Sequence, residues 1–82
     1  MMFTKVLIAN RGEVAIRINA TLERLGVEAV GVYTPSDRGS LHVRRIAESL
    51  LLNDAAQTGY LDAAQIIAAA KACGADAIHP GY

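Results

Sequence analysis

Four short apolar runs alternate with three helix-like segments within 82 residues, and this alternation leaves few folds open. Lys5–Ala9 and Ala29–Tyr33 are apolar at successive positions, so each predicts a strand covered on both faces. Between them Val14, Ile18, Leu22 and Leu25 form a helical stripe, predicting a helix over 12–25 that Gly26 ends in a left-handed conformation. Ser40 is placed to cap a short helix reaching Ile46. Ser49–Leu52 predicts a third strand, followed by a polar loop over 53–59. Asp62 and Gln65 have the spacing of a capping box at the head of a third helix, which Gly74 terminates after Cys73. Ala75–His79 predicts a fourth buried strand. Such a strand–helix alternation predicts a Rossmann-like three-layer α/β domain, with a four-stranded parallel sheet in the order 3-2-1-4.

That order makes a further demand. Growth of the sheet reverses between strands one and four, and a crevice opens there at the carboxyl ends of the strands. Asn10-Arg11-Gly12-Glu13 and His79-Pro80-Gly81-Tyr82 both leave the sheet at that crevice. Distant in sequence, the two loops are expected to be neighbours in space.

Composition removes several function classes. Eight Lys and Arg balance eight Asp and Glu, which supports neither a nucleic-acid nor a membrane partner. The chain has one Phe and no Trp, leaving no aromatic platform for stacked bases. Cys73 is the single cysteine, so it forms no internal disulfide and is expected to pack as a small apolar residue in a reducing, cytoplasmic compartment. His42 has no Cys or His at ligand spacing, and no metal site is expected. The exposed pair Arg44-Arg45 is expected to be solvated.

The first loop has the outline of a phosphate-binding turn. Aligned with the dinucleotide fingerprint it gives Asn10-x-Gly12-x-x-Ala15, with Asn in place of the first glycine and an accepted Ala at the third. Glu13 sits in the first helical turn, where its carboxylate competes with a phosphate for the amides and the dipole. Tyr33-Thr34-Pro35 stands where a ribose-binding acid belongs, and Asp37 comes a few residues late. The turn is kept, but an NAD(P)-binding oxidoreductase module is the weaker reading. A non-enzymatic α/β binding domain is the other alternative; a receiver type would require acids where Ala9-Asn10 stand.

Lys5-Val6-Leu7-Ile8-Ala9-Asn10-Arg11-Gly12-Glu13 resembles the opening of the biotin carboxylase component of biotin-dependent carboxylases. Ser36-Asp37-Arg38, His42-Val43, Tyr60-Leu61 and Gly74 to Tyr82 continue the resemblance in order, covering essentially the whole chain. It implies an N-terminal domain over 1–82, truncated before the ATP-grasp domain. The parent is then a ligase that uses bicarbonate and ATP with Mg2+ or Mn2+ to carboxylate biotin on a carrier domain. On this reading the catalytic residues lie in later domains, and the 82 residues alone are inactive and need no cofactor. Implied partners are the remaining biotin carboxylase domains, the biotin carboxyl carrier domain and the carboxyltransferase component. The resemblance puts Tyr82, with Gly81 and His79, beside the biotin ureido ring. Asn10, Arg11 and Glu13 would line the crevice, although Arg11 and Glu13 could instead pair with each other and the backbone. Arg17 matches a helix that joins subunits in dimeric members, a face on which Ala20 and Arg24 depart from the family's charges.

Overall fold

Apolar residues on both sides of a strand need cover on both sides, and the chain supplies it with helices. The computed structural model describes residues 4–52, 60 and 62–81. The elements run β1 (Lys5–Ile8), α1 (Gly12–Arg24), β2 (Glu28–Tyr33), a 3₁₀ turn at Pro35–Asp37, α2 (Leu41–Arg45), β3 (Glu48–Leu51), α3 (Ala63–Cys73) and β4 (Ala77–His79). All three strand pairings are parallel and the order is β3-β2-β1-β4, as the alternation requires. The loop expected over 53–59 lies outside the described residues. No helix among the described residues is long and apolar enough to cross a membrane.

Alternation along β1 divides the core. Val6 and Ile8 pack with Ala15 and Leu22 of α1, Ala29 of β2 and Ile46 at the end of α2. Leu7 faces the other way, against Val32, Leu52, and Ile66 and Ala70 of α3. Leu7, Ile8, Val30 and Val32 are fully buried, each contributing about 1.5–3 kcal/mol of apolar transfer. Cys73 lies half-buried at the margin of the second cluster, the packing role expected of it.

Local capping follows the sequence in part. Gly26 and Gly74 take φ of 72° and 77° behind their helices. Asp62 accepts the Gln65 amide at 3.2 Å, while the Gln65 side chain returns to the same carboxylate rather than to the Asp62 backbone.

Several expectations are corrected. The buried face of α1 is Ala15, Asn19 and Leu22, and Leu25 lies past the helix end, 68% exposed. A stripe drawn from Val14 to Leu25 runs out of helix before it runs out of leucines. Ser40 is the N-cap residue of α2 as expected, but its hydroxyl makes no capping bond and is committed to His42 instead. β3 begins one residue earlier than expected, and Leu52 follows it as a buried residue whose amide still donates to Tyr33. β4 is not buried. As an edge strand of three residues, it leaves Ile78 and His79 exposed.

Candidate functional site

Parallel strands put all their carboxyl ends on one rim, and the loops that leave β1, β2 and β4 meet there. Asn10 and Pro80 are in contact: the Asn10 side-chain amide donates to the Pro80 carbonyl at 2.9 Å. Just below, the Ala9 amide donates to the His79 carbonyl at 2.9 Å. The adjacency of the two crevice loops, expected from topology, is therefore present.

Arg11 does not pair with Glu13. Its Nε and Nη2 donate to the two carboxylate oxygens of Asp37, both at 2.6 Å, in the bidentate geometry that matches guanidinium to carboxylate. Tyr60 donates its hydroxyl to Asp37 Oδ2 at 2.8 Å, and its ring centre lies 6.0 Å from the guanidinium carbon. Asp37 is buried at the end of the 3₁₀ turn, whereas the Arg11 side chain remains 59% exposed. The Arg11 hydrogen bonds hold the Asp37 carboxyl down at about 2 against the opposing effect of burial, with Tyr60 adding to the lowering. The same contact raises Arg11. Burial first, then the bond to Asp37, pushes the Tyr60 hydroxyl up to about 12.

The start of α1 is occupied by protein groups. His42, fully buried, sits between α1 and β2. Its Nε2 donates to the Val32 carbonyl at 3.0 Å, so Nδ1 is the acceptor, receiving the Ser40 hydroxyl at 2.9 Å and the Gly12 amide at a long 3.4 Å. The Asn10 side-chain oxygen accepts the Arg11 amide at 2.8 Å. A phosphate at this turn would have to displace these partners, since it binds through the same helix-start amides. Glu13 is exposed in the first turn of α1.

His79 is exposed, and its Nδ1 accepts the Gly81 amide at 3.0 Å. It is the last residue of β4 and closes on the turn that follows, not a histidine satisfied inside a core. Gly81 has φ of 94°, and a Cβ there would fall on the Asn10 amide nitrogen and come within 3.1 Å of Val14. Tyr82 lies outside the described residues. Arg17 is exposed on α1, where with Ile18, Thr21 and His79 it lines an open hollow of about 250 Å³. A second hollow, of about 300 Å³ and apolar, lies across the loop between Tyr60, Ile66, Ile67, Ile78 and Pro80.

Asp37 and Tyr60 are not among the site residues the sequence predicts, and for His42 the sequence weighs only a metal-ligand role. A usable signal existed for Asp37. Neighbouring parallel strands bring their following loops together, and an Arg after β1 opposite an Asp after β2 is a natural pair.

Residues 2–82 match the family described as "Biotin carboxylase, N-terminal domain". The chain is 49% identical over 82 residues to biotin carboxylase 2 of Bacillus subtilis, covering 99% of this chain and 18% of that protein. It is 52% identical over 79 residues to the mitochondrial methylcrotonoyl-CoA carboxylase subunit alpha of rice, covering 95% of this chain and 11% of that one. Among solved structures, the multifunctional pyruvate carboxylase of Rhizobium etli superposes with a TM-score of 0.92 at 35% identity, over 100% of this chain and 9% of the enzyme. The chain thus spans less than a fifth of the length of these relatives.

Proposed function

The chain belongs to the family of biotin carboxylase N-terminal domains, and from that membership we propose that it is the opening domain of an ATP-dependent biotin carboxylase, with residues 1–82 preceding an ATP-grasp unit. The reaction of such a ligase moves a carboxyl group from bicarbonate to a ring nitrogen of carrier-borne biotin, driven by ATP with Mg2+ or Mn2+. The observation that carries the reading beyond family membership is the junction of the two crevice loops, Asn10 on Pro80, at the switch point of the sheet. Ligands of open α/β sheets bind at that place.

The described residues of this domain do not form a site that fits ATP or its metal. No three His, Cys, Asp or Glu side chains converge among the described residues, and protein groups engage the amides that begin α1. We therefore assign nucleotide, metal and proton transfer to later domains, and assign to this one a wall of the biotin site. His79, Pro80 and Gly81 form the wall, with Tyr82 as the contact on the biotin side. The carrier domain, the carboxyltransferase component and a second copy of the carboxylase, meeting through the face of Arg17, are the partners of this assignment. The NAD(P)-binding alternative needs the amides that Asn10 and His42 already hold.

Tyr82→Ala in the carboxylase that carries this domain tests the reading. The apparent KM for free biotin should rise, or carboxylation of the carrier fall, by up to about 10²-fold, the scale of a lost positioning contact. Bicarbonate-dependent ATP hydrolysis measured without biotin should persist. Equal loss of both activities in a folded enzyme would remove Tyr82 from the biotin wall.

A further inference from the structure

We propose that Asn10 is the positioning residue of the His79–Pro80–Gly81 loop, a brace occupying the place where a dinucleotide-binding turn would receive a phosphate. The brace concerns this chain alone; its consequence for biotin rests on the function proposed above.

β4 is short, and it lies at the edge of the sheet. Its beginning is fixed by Asp76, whose carboxylate accepts the Thr4 amide and hydroxyl at 3.0 Å and the Lys5 amide at 3.1 Å. Its end is held less well. After the Ala9–His79 backbone bond, Pro80 has no N–H to donate, and the Gly81 N–H turns inward to His79. The Asn10 amide on the Pro80 carbonyl ties the loop back to the body of the domain.

The orientation of that amide is determined at its other end. Asn10 Oδ1 accepts the Arg11 N–H, so Nδ2 must face Pro80; the reversed amide would oppose donor to donor and oxygen to oxygen. Arg11 is in turn held by both oxygens of Asp37. The contacts run without a gap from the turn after β2 through Arg11 and Asn10 to Pro80.

A second observation is independent of the hydrogen bond. Gly81 lies so close to Asn10 that an added Cβ would meet its amide nitrogen, and would stand 3.0 Å from its Cγ. The loop is seated on the Asn10 side chain, and its left-handed φ leaves glycine as the residue that fits. A glycine at position 10, as the dinucleotide fingerprint prefers, would give the loop no seat.

Asn10→Asp is the selective variant. It keeps the size and the oxygen that accepts from Arg11, and it replaces the donor with a second oxygen facing the Pro80 carbonyl. In the full chain, solvent exchange of the Gly81 amide followed by NMR should accelerate about tenfold, the scale of one lost hydrogen bond. The Leu7 and Val30 amides of the sheet should be unchanged. Unaltered Gly81 exchange in folded Asn10→Asp overturns the brace. If that variant does not fold, Gly81→Ala approaches from the opposite side: lifting the loop should free the Asn10 side-chain amide to exchange, and retained protection there overturns the proposal. In the carboxylase carrying this domain, Asn10→Asp should raise the KM for free biotin by about tenfold while biotin-independent ATP hydrolysis stays within about twofold. A loosened loop with an unchanged biotin KM upholds the brace and removes the biotin-side assignment instead.

Discussion

Replacing Asp37 by asparagine removes the charge on which Arg11 and Tyr60 converge. In the folded chain the carboxyl is held at about 2 instead of 3.8, first by the Arg11 hydrogen bonds and against burial. A shift of that size corresponds to at most about 2.5 kcal/mol. The Arg11 side chain is 59% exposed, so solvent screens the pair, and about 1–2 kcal/mol is the expected loss for Asp37→Asn at pH 7. Because the folded value lies below the unfolded one, the unfolded chain binds more protons as pH falls, and the stabilisation is lost in acid. It is complete above about pH 5, reduced to about half at pH 3, and mostly gone at pH 2. Urea unfolding followed by circular dichroism at pH 7 and pH 3 measures the difference between the two chains at each pH. A difference that does not shrink at pH 3, or one below about 0.3 kcal/mol at pH 7, would refute the assignment of this stability to the Arg11–Asp37 pair.

His42→Phe fills the same space but leaves the Val32 carbonyl, the Ser40 hydroxyl and the Gly12 amide without their shared partner. The expected cost is about 2–4 kcal/mol, and a thermal melt should show a Tm lower by more than about 8 °C. Titration calorimetry of the chain with NAD and with ATP should give no micromolar binding, because Asn10 and His42 hold the amides a phosphate would use. Micromolar affinity for NAD would instead promote the oxidoreductase reading.

Local rules read from neighbours in sequence held where neighbours decide the outcome. Gly26 and Gly74 end their helices, Asp62 caps α3, and the apolar runs of β1 and β2 become the centre of the sheet. Even the strand order followed, because right-handed crossovers between parallel strands leave little choice. What failed depended on which groups meet from afar. Glu13 is two residues from Arg11, yet Arg11 turns to Asp37, 26 residues away, because the bidentate geometry and partial burial are available only there. Ser40 stands at a cap position but gives its hydroxyl to His42, whose buried Nδ1 would otherwise keep only the long contact from the Gly12 amide. His79 is exposed because β4 lies at the edge, a property of the sheet rather than of Ala75–His79. The sequence by itself determined which segments are strands and helices and that two distant loops share one crevice. Only the tertiary structure decided which side chains hold that crevice in shape, because hydrogen-bond partners are chosen by distance and burial in three dimensions, and the sequence hints at them only where neighbouring parallel strands bring their loops together, as at Arg11 and Asp37.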